Sequence, residues 1–387
     1  MHNPYAGVNW ERAVRVPSAT HMHLGNQKQL ENAYQYGIRH FPISNYYPSV
    51  PYDADTRISD FRLRQSWPAT RDGQPVEPPI NWNEVIEWQD ELEEPYRSQV
   101  PFETTDRAFT SIPKDAMLSH NAEHHGFSNS QAHICSPGSS FASGTFDVRS
   151  HFQLNQHGFP VGFGGTWQEA FEGMINGLDY PEGGGITINH PTWFSKFNDD
   201  QVKEMLDFDE RVLGIEIYND YSCKKNWQEN SDYRSPDEPQ QGFSLKLWDR
   251  ILLTGRRCWG FCVPDHSAGS GDWSGRSLLV VGQQSDQACL KAYRDGSFYG
   301  CLTGQGPYVT SFEATDTLMS IALTDAAEIR FVVDAEVAAT ITGDRATFDV
   351  PQKNGSPDVV YVRVEIQHAS GERLFLQPVR YAAARAS

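Results

Sequence analysis

The chain has 387 residues, with 50 aspartates and glutamates against 32 lysines and arginines, for a formal net charge of −18. A polyanion binder needs clustered cations, and no basic stripe is visible, so nucleic acid is excluded as an expected partner. Hydrophobic residues make up 39% of the chain, enough for a sizeable core, yet no apolar run nears the roughly 20 residues that cross a bilayer, which excludes a membrane partner.

Taken in chain order, residues 14–16 read as a first strand leading into His21-Met22-His23. Residues 29–36 read as a helix stopped by Gly37, and residues 38–43 as the next strand. A long insert rich in proline, tryptophan and charge follows over 48–115, with a helix-like stretch at 82–92. Residues 116–118 form a short strand before His120-Asn121-Ala122-Glu123-His124-His125. Gly162-Phe163-Gly164-Gly165 is a turn, and Thr166-Trp167-Gln168-Glu169 is a capping box opening a helix to residue 178. Residues 185–188 are a strand ending in Asn189-His190. Asn198-Asp199-Asp200-Gln201 opens a second helix, residues 212–218 form a strand, and a polar insert spans 219–240. Residues 258–263 are a last apolar run before Asp265-His266. Strands alternating with helices in this way predict an α/β fold with a largely parallel sheet over residues 1–298. Long inserts in such a domain form lids or rims.

From residue 299 the texture changes to short alternating runs at 309–313, 318–323, 329–333, 337–341, 346–350, 359–366 and 374–379. Turn residues such as Thr342-Gly343-Asp344 and Asn354-Gly355 separate them. This predicts an antiparallel β-sandwich over 299–387. It carries one histidine, His368, and reads as a structural or contact module.

Twelve of the thirteen histidines precede residue 299, and the notable ones follow predicted strands. His21 and His23, spaced i and i+2 in extended chain, point to one side and can grip one ion together. With Glu123, His190 and Asp265-His266 at other strand ends, they form a set suited to zinc, manganese or iron. The six cysteines are scattered and fit no common zinc spacing, so they read as buried free thiols. A nucleophile elbow, a phosphate-binding loop and a full dinucleotide pattern are all missing, and no organic cofactor is expected.

The ordered set His21-x-His23, Glu123 ten residues before His133, Asn189-His190-Pro191, Gly214-Ile215-Glu216-Ile217-Tyr218-Asn219 and Asp265-His266 resembles the PHP (polymerase and histidinol phosphatase) superfamily. The segment Ala292–Tyr299 before the predicted sandwich fits the branch with a β-sandwich after the barrel. The similarity spans roughly residues 15–382, without the inserts. It implies a distorted (β/α)7 TIM-like barrel whose strand ends hold up to three metals, and a phosphoesterase or related hydrolase. By that resemblance His21, His23, Glu123, His133, His190 and Asp265 fall on ligand positions. The family ends in Asp-x-His, so either His266 is the ligand and Pro264 replaces the aspartate, or Asp265 is the ligand and Ser267 replaces the histidine. Where the family carries further acid and imidazole ligands, this chain has Gln27-Lys28 and Ser44-Asn45-Tyr46. The expectation is therefore one or two divalent ions, with Tyr46 in contact with substrate.

The leading expectation is a metal-dependent hydrolase acting on a small phosphate ester or diester. Glu123 anchors or bridges the ions, and His124, His125 or His157 acts as general acid or orients the leaving group. Lys196 and Arg257 offset substrate charge, and Asn219 completes the binding set. Two alternatives stand: hydrolysis of a carboxylic ester, carbamate or sugar-linked bond, suggested by the aromatic inserts, and a non-catalytic metal- or ligand-binding protein. Without a visible signal peptide a cytoplasmic place is favoured, with secretion open if a leader was removed. A homo-oligomer is compatible with the sequence.

Overall fold

The computed structural model describes residues 1–44, 70–71, 74–75, 109, 111–127, 130–141, 166–192, 197–224, 242–270 and 272–381. The helix-like stretch at 82–92 lies outside them, as does most of each insert. The described residues form a mixed α/β protein that separates into two compact units. One comprises residues 20–189 and 265–272, the other 1–19, 190–264 and 273–387. These units cut the chain at other points than the sequence boundary near residue 299.

The strands are β1 (Val14–Ser18), β2 (His40–Pro42), the small pair β3 (Thr70–Arg71) and β4 (Gln74–Pro75), β5 (Met117–Ser119), β6 (Glu123–Phe127), β7 (Ser130–Cys135), β8 (Ile186–Ile188), β9 (Val212–Asn219) and β10 (Trp259–Val263). Then come β11 (Arg276–Val281), β12 (Phe298–Cys301), β13 (Val309–Ala314), β14 (Leu318–Val333), β15 (Glu336–Asp349), β16 (Gln352–Lys353), β17 (Ser356–Pro357), β18 (Tyr361–Gln367), β19 (Arg373–Leu376) and β20 (Val379–Arg380). The helices are α1 (Gln27–Gln35), α2 (Trp167–Asn176), α3 (Asp199–Phe208), α4 (Asp220–Lys224), α5 (Leu245–Leu253) and α6 (Asp286–Asp295).

In the unit holding residues 20–189, α1 begins two residues before the expected start. The Asn26 side chain accepts the Gln29 N–H and caps the first turn. It ends as expected at Gly37, whose φ of +98° suits a residue without Cβ. The capping box at Thr166–Glu169 forms and starts α2. Strands β2 and β5 pair in parallel, but β6–β7 and β7–β8 are antiparallel. This departs from the largely parallel expectation. Two residues join β6 to β7, too few for a crossover, so the chain turns back as a hairpin.

In the other unit, the Asn198–Gln201 capping box starts α3, and β9 and β10 pair in parallel. A Cβ at Gly214 would stand 2.0 Å from the Trp259 carbonyl oxygen, so this pairing requires glycine. Apart from the separate pair β16–β17, the remaining strands run in one antiparallel path, β13-β14-β18-β19-β12-β11-β1, with β15 on β14 and β20 on β18. Its core joins Phe312, Ile321, Phe331 and Val364 to Tyr5, Leu278, Val280 and Tyr299. The C-terminal strands therefore share their core with β11, β12 and the N-terminal segment. The pairing establishes neither a separate two-sheet sandwich nor closure of a barrel.

The turn expected at Thr342-Gly343-Asp344 is instead strand, with Gly343 facing Ala327. Residues 318–333 and 336–349 make one long hairpin, and a bulge between Ala322 and Ala327 absorbs the polar residues that look like a turn. The actual reversal is Asp334-Ala335, both with positive φ, whose carboxylate also accepts the Val360 and Tyr361 N–H groups. Asn354-Gly355 turns as its composition predicts, between β16 and β17.

A buried ion pair ties α5 to β18. Arg363 donates Nε to Asp249 Oδ1 at 2.7 Å and Nη2 to Oδ2 at 2.8 Å, and the Tyr361 hydroxyl donates to Oδ1 at 2.6 Å. Removing one partner strands a charge in the interior. Asp249→Ala should lower unfolding free energy by about 3 kcal/mol, the lower end for a buried pair, because Glu365 still meets Arg363. Urea denaturation measures it, and a loss below about 1 kcal/mol would show the pair to be near neutral.

Candidate metal centre

The centre is built within the unit of residues 20–189 and 265–272. After β1 the chain stays extended through His21-Met22-His23, and Met22 forms a parallel bridge with Asp265. The Asp265 N–H donates to the His21 carbonyl at 3.0 Å. Ser44 holds Met22 from the other side, its Oγ accepting the Met22 N–H at 2.9 Å and its own N–H reaching the Met22 carbonyl. Extended backbone alternates, so fixing Met22 aims both flanking imidazoles the same way.

Asn121 ties three segments together. Its Nδ2 donates to the carbonyls of Thr20 and Pro42 at 2.8 Å each, and its Oδ1 accepts the Ser136 N–H at 2.9 Å. Asn121→Ala leaves two carbonyls and one N–H buried without that partner, a cost of about 3 kcal/mol. The expected loss should appear in both thermal stability and metal content, since Thr20 directly precedes His21. Unchanged values in both would remove Asn121 from the supporting frame.

Five side chains then converge. His21 Nε2 lies 3.1 Å from His23 Nε2, 3.3 Å from Glu123 Oε1 and 3.2 Å from Asp265 Oδ1. His23 Nε2 lies 3.1 Å from Glu123 Oε2 and 3.4 Å from Asp265 Oδ1. His133 Nδ1 reaches Glu123 Oε1 at 2.8 Å. His21, Glu123 and Asp265 are buried, with His23 nearly so. One imidazole N–H can point at one acceptor, yet His21 Nε2 has three close neighbours. A single cation among them satisfies all.

The spacing fits that ion. Ligands at zinc-like bond lengths of about 2.0–2.2 Å around a tetrahedron stand about 3.3–3.6 Å apart. The His21 and His23 nitrogens stand 3.1 Å apart, and each lies 3.1–3.4 Å from Asp265 Oδ1 and from an oxygen of Glu123, His21 meeting Oε1 and His23 meeting Oε2. His21–His23–Glu123 and His23–Asp265–His266 are each grouped closely enough to share an ion.

Electrostatics agree with the geometry. Burial resists ionisation of Asp265, but charge on His21, the hydrogen bond to His23 and the nearby His266 hold it far below the usual carboxylate range. Burial likewise works against charged His23, and the Asp265 and Glu123 carboxylates outweigh it, raising its pKa. His266 stacks on His23 with ring centroids 3.9 Å apart. Desolvation and the charge of His23 push it down to about 3, although its side chain keeps 37% of its surface exposed. It is thus a neutral imidazole at the rim. Asp265 itself sits at φ +55°, an unfavourable region for a residue with Cβ, held there by the Met22 bridge.

The expectation that the ligands sit at strand ends needs correction. Glu123 opens β6, and His133 lies inside β7. A hairpin, not a parallel strand end, carries both, and its register sets Glu123 opposite Cys135.

His124, Arg257 and Asn219 fall elsewhere. His124 is buried with Nε2 2.9 Å from Ser136 Oγ, and is not brought to the cluster. Arg257 spends its guanidinium on the carbonyls of Glu210 and Val212, at the start of β9, which corrects its assignment to substrate charge. Asn219, at the far end of β9, donates Nδ2 to Glu216 and accepts the Ser222 N–H, a structural duty. His190 belongs to that same unit, where its N–H donates to Glu216 Oε2 at 2.7 Å and its φ is +24°. Tyr46, His157 and Lys196 lie outside the described residues, and His125 is described by its backbone alone.

Sequence reasoning missed Asn121, Ser44 and Asn189 as supports. Asn189 donates Nδ2 to Glu123 Oε1 at 3.3 Å and to Cys135 Sγ at 3.1 Å. The available signal was adjacency: each asparagine lies within two residues of a ligand candidate.

No family model and no curated protein sequence matches the chain. Among solved structures it is similar to a two-domain protein from Bacteroides vulgatus ATCC 8482 containing a predicted PHP-like metal-dependent phosphoesterase. Identity is 10%, 96% of each chain is covered, and the TM-score is 0.41. At this level the likeness decides neither fold nor activity for this chain.

Proposed function

We propose that the protein is a PHP-like metal-dependent hydrolase, with a phosphate ester or diester as substrate, on a distorted barrel followed by a β-sandwich. The observation that carries this reading is the buried convergence of His21, His23, Glu123 and Asp265. A divalent zinc, manganese or iron ion there would polarise the scissile bond and lower the pKa of water. The two carboxylates offset its charge, and the imidazoles fix its position. Asn189 orients Glu123 through Oε1. His266, neutral and at the rim, is able to take part as a further ligand or accept a proton at Nε2. His133 shares Glu123 Oε1, which suits a bridging carboxylate and a second ion, and the sequence resemblance adds His190 as a ligand. That gives one or two ions per chain.

Arg257 favours a second reading. With that cation committed to carbonyls, less charge remains to meet a phosphate, so a carboxylic ester or carbamate becomes the alternative substrate.

Turnover of p-nitrophenyl phosphate, bis-p-nitrophenyl phosphate and p-nitrophenyl acetate, with zinc, manganese or iron(II) added after chelation, tests both. The phosphoesterase reading requires metal-dependent release from a phosphate substrate in preference to acetate. Acetate preferred supports the second reading, and no metal-dependent turnover on any of the three rejects hydrolase function.

A further inference from the structure

The unit built on β11, β12 and the C-terminal strands contains a cavity of about 470 Å³ that shares no residue with the metal centre. Its walls are the N-terminal segment (Val8, Asn9, Arg12), the end of β11 (Val280) and one face of α6. On that face Ala288, Lys291, Ala292 and Asp295 recur at i, i+3, i+4 and i+7, so they stand in one row. The two alanines are what leave the space, since longer side chains in that row would fill it. The volume is that of a small-molecule pocket, for which about 300–1,000 Å³ is usual.

The polar groups of the lining are unevenly committed. Lys291 pairs with Asp295 at 2.7 Å. Arg12, by contrast, makes only a backbone hydrogen bond, from its N–H to the Asn9 carbonyl, and its guanidinium has no ion pair among the described residues. Ser297 is 9% exposed and uses its backbone groups with Ala292 and Val280, while its hydroxyl has no protein partner among the described residues. A nearly buried hydroxyl and an unspent guanidinium thus face a cavity whose floor, from Val280 to Ala292, is apolar. Arg12 is exposed, so its guanidinium is open to a ligand at the cavity.

We propose that this cavity binds a small amphipathic organic anion. Its acidic group sits on Arg12, within reach of a guanidinium fork that suits carboxylate and phosphate alike. Its apolar part lies against Val280, Ala288 and Ala292, and Ser297 supplies a hydrogen bond. This assignment is independent of the metal-centre reading.

The cavity offers a clean blocking variant. A Cβ added at Gly282 meets nothing within 4 Å, and Gly282 is not in the left-handed region, so Gly282→Leu can fill space without strain. The full-length protein, wild type, Arg12→Gln and Gly282→Leu, is titrated by calorimetry with hexanoate, hexyl phosphate, hexanol and inorganic phosphate. Saturable one-to-one binding of hexanoate or hexyl phosphate is expected, at least roughly tenfold tighter than hexanol and inorganic phosphate. Whichever of the two anions binds tighter identifies the acidic group. Arg12→Gln should weaken it by roughly tenfold or more and Gly282→Leu should abolish it, with melting temperatures unchanged in both. Hexanol binding as tightly as the anions, binding unaffected by either variant, or no saturable binding of any probe each overturns the proposal.

Discussion

Replacing Glu123 by glutamine should cost about three orders of magnitude in metal-dependent turnover and most of the bound metal, while the protein still unfolds cooperatively. The substitution exchanges one carboxylate oxygen for an amide and keeps volume, so a buried side chain of 1% exposure keeps its packing. What changes is charge and donor character. Glu123 stands at 3.1–3.3 Å from both His21 and His23 and at 2.8 Å from His133. An amide nitrogen at either oxygen position places two hydrogens where a cation should be, and removes a negative charge that offsets it. Asn189→Ala, which removes only the hydrogen bond to Glu123, should cost less, about 10- to 100-fold in metal affinity, as is usual for a residue orienting a ligand. Elemental analysis of both variants checks the order. If Glu123→Gln keeps full metal and full turnover, the centre is elsewhere; if Asn189→Ala costs more than Glu123→Gln, Glu123 is not the anchor.

The sequence exposes the donor chemistry better than its frame. His21-x-His23 is legible because extended chain has a period of two, and nothing else is needed to see both rings on one side. The capping boxes at Thr166 and Asn198 are legible for a similar reason: the signal and its partner lie three residues apart. Hairpin β6–β7 is harder. Glu123 and His133 are ten residues apart in a stretch that reads equally as a strand end and a loop, and only the antiparallel register shows how the chain folds back. The Met22–Asp265 bridge joins positions 243 apart in sequence, and no local pattern encodes it. The same limit explains the long β14–β15 hairpin. Thr342-Gly343-Asp344 has turn composition, yet the bulge at Ala322–Ala327 on the facing strand makes it strand, and Asp334-Ala335, with neither Gly nor Asn, makes the turn. Arg257 misleads differently: a cation two residues before a buried strand braces carbonyls as readily as it binds substrate.

Acidification should weaken metal binding through His23, and the sign follows from the direction of its shift. In the metal-free protein the Asp265 and Glu123 carboxylates raise the His23 pKa above 6.5. Its protonated form therefore stabilises the metal-free fold fully below pH 6.5, and that contribution is lost as pH rises through the raised folded value. His266 has the opposite sign. Held near 3, it stays neutral while the unfolded chain takes up a proton, so it costs stability as pH falls below 6.5, an effect reduced by its exposure. Asp265 titrates far below this window and contributes a constant amount across it. Metal requires a neutral His23 and must displace its proton. Below the folded pKa of His23, each unit of acidification should thus weaken apparent affinity by roughly tenfold, about 1.4 kcal/mol. In consequence, the rise in melting temperature on adding zinc or manganese should be larger at about pH 8 than at about pH 6, with total metal fixed. His23→Asn, which keeps a polar side chain but has no proton to displace, should bind metal more weakly and show a shallower pH slope. Chelator competition at several pH values measures both quantities. An affinity that stays flat from about pH 8 to about pH 6 would mean that no imidazole proton is displaced, and His23 would then be a neighbour of the ion, not its ligand.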